Sequence, residues 1–182
     1  MAFLTVLTCH LPGRAALLAR NQASLQAQTD LDYDQRVMTD FVRSGFEHVR
    51  DMMRQAAQTL PEHGYVLILD DDDVMSNPRG IETLKVAARD NPPAVIFRGQ
   101  HADLGVLPKH AWQTRPACGD IGSFDFILRV DVFRACVAAE TQTAYAYDHA
   151  IIAAAYDAYP GAVVWCDHVI CAADKRRIGK DD

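Results

Sequence analysis

Residues 70–73 are four consecutive aspartates, and they follow directly on the apolar run Val66–Leu69, VLIL. Four adjacent carboxylates repel one another at neutral pH, and each raises the others' pKa unless a cation neutralises them. Hard cations such as Mg²⁺ and Mn²⁺ take oxygen ligands. Mg²⁺ in particular is commonly held by one or two carboxylates plus substrate phosphates. Alternate residues of an extended backbone share a side. Asp70 and Asp72 are therefore expected to point together, with Asp71 and Asp73 facing the other way or capping the next helix. Aspartate is also favoured as a helix cap without any metal. The position of this quartet at the mouth of a buried strand favours the metal. A second feature is the segment Gln100–Ser123, rich in His, Trp, Gly and Pro, where Trp112 with the nearby His101 and His110 offers a stacking face for a ring or sugar.

The elements that position these residues alternate. Phe3–Thr8 reads as a short β-rich run ending in HLPG. Arg14–Gln28 places Ala15, Leu17, Leu18 and Leu25 at roughly helical spacing. Tyr33–Thr39 is a second strand ending at Asp40. Gly45–Leu60 is a helix with Phe46, Val49, Met52, Met53, Ala56, Ala57 and Leu60 on one face. After the turn PEHG, Tyr65–Leu69 is a strand apolar enough to be buried on both faces. Asn77-Pro78 opens a helix to about Ala88, and Ala94–Arg98 is a further strand. Then come a strand at Phe124–Arg129, helices at about Val130–Ala139 and Asp148–Tyr159, and a strand at Ala162–Trp165. This order predicts a single-domain α/β fold with a mostly parallel sheet flanked by helices. In such sheets ligands bind outside the carboxyl ends of the strands, where Asp40 and the quartet both fall.

Composition narrows the function classes. With 182 residues, 49% of them hydrophobic, the chain can bury a core without disulfides or metal staples. A charged fraction of 23% marks an ordinary folded domain, and the net charge of -6 excludes a strongly basic nucleic-acid footprint. The five cysteines contain no C-x-x-C pair, which argues against a zinc ribbon or a disulfide framework. No apolar run approaches the ~18 residues of a membrane span. The amino-terminal MAFLTVLTCHLPGR lacks a basic leader and an A-x-A site, so it reads as a first strand, and a cytoplasmic location is expected.

The motifs resemble the family 2 glycosyltransferases of the GT-A fold. That family carries a D-x-D motif after an apolar strand for a metal and a sugar-nucleotide diphosphate; here it reads LILDDDD, with Asp70 and Asp72 in the D-x-D positions. The stretch from FLTVLT through CHLPGR to LLARNQASLQAQTDLDYDQRVMTD is similar to the family's first strand-helix-strand. The resemblance covers about residues 3–172. It implies a nucleotide-sugar-binding half over about 1–100, an acceptor and catalytic half over about 101–172, and a charged tail over 173–182. It implies Mn²⁺ or Mg²⁺ on Asp70 and Asp72, with His168 of WCDHVIC as a further ligand. It places Thr8, Cys9, His10, Arg14, Asp71 and Asp72 against the nucleotide, with Asp40 on the base. Trp112, Gly122, Ser123 and Asp125 would frame the sugar or acceptor, and Asp148 of YAYDHAII would be the catalytic base of an inverting transfer. The partners so implied are a nucleotide-diphosphate sugar and an acceptor hydroxyl on a small molecule, glycan, protein or modified nucleic acid. Lys175, Arg176 and Arg177 read as a solvated tail or as a flap over the diphosphate.

Two alternatives share the acidic strand end. LILDDDDV also fits the haloacid dehalogenase pattern, with Asp70 as nucleophile and Asp72 as general acid. In that reading GDIGSFD supplies Asp120 and Asp125, and Lys109 neutralises charge. That motif normally lies on a first strand, whereas here about 65 residues precede it. A nucleotidyltransferase would keep the core and the metal but normally carries a Gly-rich basic loop, of which CHLPGR is a poor version.

Overall fold

A computed structural model describes residues 2–39, 46–109, 113–139 and 147–173. In chain order the elements are β1 (Leu4–His10), α1 (Ala15–Gln26), β2 (Tyr33–Thr39), α2 (Phe46–Thr59), β3 (Tyr65–Ile68), β4 (Asp73–Met75), α3 (Gly80–Ala87), β5 (Ala94–His101), β6 (Gly105–Leu107), β7 (Phe126–Arg129), α4 (Val130–Ala139), α5 (Tyr147–Ala158) and β8 (Val164–Ala173). They form one α/β domain around an eight-stranded sheet ordered β2-β1-β3-β7-β5-β8-β4, with β6 paired to β5.

The sheet is mixed, which corrects the expectation of a mostly parallel one. β1 runs parallel to β2 and β3, and β5 parallel to β8. β7 is antiparallel to both of its neighbours, β3 and β5, and β4 is antiparallel to β8. The cause is the connection after β5. A hairpin through β6 and an irregular loop return the chain without the crossover helix that a parallel neighbour requires. The two reversals around β7 restore direction. The carboxyl ends of β1, β2, β3, β5 and β8 therefore share one edge with the amino ends of β7 and β4. His10, Asp70, Asp73, His101 and Asp125 all stand on that edge.

Each face of the sheet carries its own core. Leu7, Ile68, Ile96, Phe126 and Leu128 pack against Met53 of α2, Phe133 of α4 and Ile151 and Ile152 of α5. Leu4, Val6, Leu67, Val95, Phe97 and Ile127 pack against Leu25 of α1 and Ile81 and Leu84 of α3. The odd-even division along β5 is the period-two alternation of a strand covered on both sides. Gly64 makes the turn into β3 possible. Its φ is +103°, and a Cβ there would lie 2.9 Å from the Phe3 carbonyl oxygen.

On α2, Met52, Met53, Ala56, Ala57 and Leu60 of the expected apolar stripe are buried; the side chains of Phe46 and Val49 lie outside those described. On α1 the stripe differs from expectation. Its buried residues are Asn21 and Leu25, while Leu17 and Leu18 are only partly covered. Two short strands, β4 and β6, were not expected, and β8 continues to Ala173 instead of ending at Trp165. Its polar Asp167 and His168 fall where the β5–β8 register shifts, between the partners of Phe97 and Gly99. That irregularity hides the strand from a periodicity reading. No helix among the described residues is long and apolar enough to cross a membrane.

Candidate active site

The aspartate quartet is a turn joining β3 to β4. Beyond β3 the chain still pairs with β1: the Leu69 amide donates to the Leu7 carbonyl at 2.9 Å, and the Asp71 amide to the Cys9 carbonyl at 3.1 Å. The Asp73 amide then donates back to the Asp70 carbonyl at 3.0 Å, closing the turn. Because the backbone turns, strict alternation fails. Asp70 and Asp72 do share a side as expected, but Asp73 joins them, and one ligand oxygen from each of the three lies within 4.8 Å of the others. Asp72 and Asp73 are buried and Asp70 is partly exposed.

Asp71 alone faces away. Its carboxylate lies 2.8 Å from His10 Nδ1 and accepts hydrogen bonds from the Leu11 amide at 3.1 Å and Arg14 at 3.0 Å. Arg14 also reaches Asp72 at 3.4 Å. His10 and Arg14, expected to lie against a nucleotide, are thus the groups that fix the β1–α1 loop to the quartet. Thr8 has a different place: it is fully buried, and its hydroxyl accepts from Gln35 at 2.9 Å, so it belongs to the frame behind the site.

Cys9 meets Asp70 through a hydrogen bond and feels the charge of Asp148. The Cys9 thiol is pushed well above its ordinary pKa, first by burial, then by the charge of Asp70 and a hydrogen bond with it. Asp148 and Asp71 contribute smaller charge effects. Asp148, in the first turn of α5, is therefore within electrostatic reach of the same thiol that touches Asp70. The end of α5 is tied down by a bidentate pair between Arg115 and Asp157 at 2.8 and 2.7 Å, and His149 Nε2 meets the Pro116 carbonyl at 3.0 Å. These contacts fix the loop that leads to residues 121–125 against the helix that carries Asp148.

Gly122, Ser123 and Asp125 form one turn around a buried carboxylate. Asp125 is completely buried; its Oδ2 accepts from the Gly122 amide at 2.7 Å and sits 3.0 Å from His101 Nε2. Burial raises its pKa, and the His101 hydrogen bond and charge act in the opposite direction. His101 stacks on Phe124, with centroids 4.6 Å apart. The His101 side chain is 15% exposed and that of Asp125 is fully covered, so the imidazole, not the carboxylate, reaches toward the site edge. The sequence offers His101 as a stacking face; its pairing with Asp125 is visible only in the fold.

His168 is not brought to the carboxylates. It is exposed on β8, beside a groove of about 420 Å³ shared with Arg79 and Glu82 next to α3. Asp73 pairs with Ala173, five residues further along β8, roughly 16 Å at strand rise. Asp73, and not His168, completes the acidic group with Asp70 and Asp72. Asp40, Trp112 and His110 lie outside the described residues, as do Lys175, Arg176 and Arg177.

The donor set suits a hard divalent cation. Oxygen bonds of about 2.1–2.4 Å can join ligand oxygens up to about 4.2–4.8 Å apart, and the triad meets that limit with carboxylates alone. Asp120 and Asp125, needed by the dehalogenase alternative, are not members of this group.

No protein-family model and no curated protein matches the chain by sequence. Solved structures do match. TarS 1–349 of S. aureus superposes with a TM-score of 0.69 over 95% of this chain and 60% of its own, at 12% identity. The same protein in complex with UDP-GlcNAc gives 0.69 over 97% of this chain and 59% of its own, at 14% identity. A glycosyltransferase involved in glycosylation of the major capsid of PBCV-1 gives 0.63 at 12% identity, covering 97% of this chain and 93% of its own. The chain thus spans about three fifths of TarS 1–349 and nearly all of the PBCV-1 enzyme. Its fold is a GT-A-like glycosyltransferase fold.

Proposed function

We propose that this chain is a glycosyltransferase that moves a sugar from a nucleotide-diphosphate donor to an acceptor hydroxyl, with inversion at the sugar carbon. One observation carries the reading: three carboxylates converge at the carboxyl edge of the sheet in a fold shared with a glycosyltransferase. Asp70, Asp72 and Asp73 would hold Mn²⁺ or Mg²⁺, whose chemistry when bound is to stabilise charge on a leaving diphosphate. The end of β1, with Cys9 and His10, and Arg14 of the β1–α1 loop form the wall on which the nucleotide rests. Arg14 screens Asp71 and Asp72 from the donor's phosphates, whose negative charge they would otherwise repel.

Asp148 takes the proton of the acceptor hydroxyl as that oxygen attacks. Asp148 stands in the first turn of α5, where the helix dipole favours the negative charge a general base carries. His101, oriented by Asp125, lines the acceptor side of the same edge.

UDP and UDP-GlcNAc are the first donors to test, because TarS was solved with both. The experiment is a thermal-shift series with UDP, UDP-GlcNAc and other nucleotide diphosphates, each with and without Mn²⁺. Saturation at a hundred times Kd stabilises by about 2.7 kcal/mol. The expected result is an upward shift by one nucleotide that requires the metal. The absence of any shift across the series would count against the assignment.

A further inference from the structure

Beside the buried Leu25, the inner face of α1 carries polar side chains spaced to meet one segment. Asn21, Ser24 and Gln28 fall at i, i+3 and i+7, one side of a helix extended by a turn. Each holds the backbone of residues 70–81. Asn21 Nδ2 donates to the Asp70 carbonyl at 3.0 Å and the Asp73 carbonyl at 2.9 Å. Ser24 Oγ accepts from the Met75 amide at 3.1 Å. Gln28 donates to the Asn77 carbonyl at 2.9 Å and accepts from the Ile81 amide at 3.3 Å.

Asn21 differs from the other two in where it acts. It is completely buried, and both hydrogens of its amide are used on the two carbonyls that bracket the quartet. Its oxygen accepts from Gln35 Nε2 at 2.7 Å, and the same Gln35 amide donates to Thr8 at 2.9 Å. The orientation of the Asn21 amide is therefore set from behind, since a flip would oppose its oxygen to two carbonyl oxygens. Drawing the carbonyls of Asp70 and Asp73 onto one nitrogen fixes the turn that brings the Asp73 carboxylate round to Asp70 and Asp72.

We propose that Asn21 is a positioning residue for cation binding, setting the geometry of the Asp70–Asp72–Asp73 triad through the backbone, with Gln35 holding Asn21 in register. This rests on the reading of the triad as a divalent-cation site. Ser24 is a purely structural rung of the same ladder and serves as the control.

The test is Mn²⁺ binding to the full chain, followed by electron paramagnetic resonance of the free ion, with circular dichroism and melting to report folding. Asn21→Leu should bind Mn²⁺ at least tenfold more weakly while keeping the native spectrum. Gln35→Leu should weaken binding by a smaller factor, and it serves in place of Asn21→Leu if that variant does not fold. Ser24→Ala should lower the melting temperature yet keep Mn²⁺ affinity within about twofold of the parent. Equal affinity in the parent, Asn21→Leu and Gln35→Leu overturns the proposal and leaves the metal site standing. A parent chain that binds no Mn²⁺ overturns both.

Discussion

Two groups of aspartates occupy opposite edges of one sheet, and the chain balances them differently. At the amino edge, Asp30 and Asp32 precede β2, and Lys85 of α3 reaches both, at 2.8 and 2.7 Å. The Lys85 hydrogen bonds are the largest influence on each carboxyl, and they hold both below the ordinary pKa. At the carboxyl edge three carboxylates face one another with Asp72 and Asp73 buried, and His10 and Arg14 are committed mainly to Asp71. One group is a solvated ion pair of ordinary structural kind. The other gathers negative charge where a strand end meets a turn, an arrangement suited to a cation from outside the chain. The lesson is that count and adjacency of acids matter less than where their side chains converge.

The sharpest way to break this contrast is to remove one acid from each group. Asp73→Asn should lower Mn²⁺ affinity at least a hundredfold. It should also leave the metal-free melting temperature equal or higher, because a like charge has been removed from a buried cluster. Asp32→Asn should lower the melting temperature and leave Mn²⁺ affinity unchanged. Opposite signs in metal-free stability are the diagnostic, read by thermal melting with a chelator present.

A second test concerns the neighbouring carboxylate, Asp125. A Cβ at Gly99 would lie 2.0 Å from Asp125 Oδ1 and 2.4 Å from the Phe124 ring. Gly99→Ala should therefore destabilise by about 2–3 kcal/mol in urea unfolding, the upper range for overpacking. A cost below about 0.5 kcal/mol would show that the carboxylate moves aside easily.

Asp125 also sets a pH dependence. Its folded pKa is raised above the ordinary 3.8 by burial, so the stability it contributes is present below about pH 4 and declines as pH rises through the folded value. Asp125→Asn should remove that decline, so that variant and parent differ in slope between pH 4 and the raised pKa. Parallel stability curves would contradict the assignment.

The smallest effect belongs to Lys85. Its two partners have lowered pKa values, so their contribution is present above the ordinary 3.8 and lost as pH falls through the folded values. Lys85→Met should cost under about 1 kcal/mol near neutral pH, as exposed pairs do. The difference should begin to shrink near pH 4 and vanish only below the lowered folded values of Asp30 and Asp32.

Much of the fold was legible in the residues. The strands at Leu4–His10, Tyr65–Ile68 and Ala94–His101 announce themselves as apolar or β-branched runs, the first and last extending past the runs Phe3–Thr8 and Ala94–Arg98, and a strand at Tyr33–Thr39 and a helix at Val130–Ala139 fall where expected. What period reading could not see was pairing direction, because β7 has the same composition whether it runs with or against its neighbours. β4 was hidden because three residues beginning with an aspartate carry no period. In the site, Asp70 and Asp72 were readable from alternation, and Asp73 was not, since its placement comes from a turn closed by the Asp73 amide on the Asp70 carbonyl. Asn21 left a signal that an apolar search discards. A polar residue every three or four positions on the covered side of α1 marks a helix that grips backbone, where a hydrophobic helix would grip side chains. His168 is a ligand by resemblance alone, and β8 carries it as an exposed strand residue apart from the acidic group.

The central claim is that Asp70, Asp72 and Asp73 bind a divalent cation shared with a nucleotide diphosphate. The most direct measurement is anomalous diffraction at the manganese edge from crystals grown with Mn²⁺ and UDP. The account predicts one strong peak within about 2.4 Å of an oxygen from each of the three carboxylates, with the diphosphate beside it. A structure showing ordered UDP elsewhere, or no peak at the triad in the presence of millimolar Mn²⁺, would contradict it.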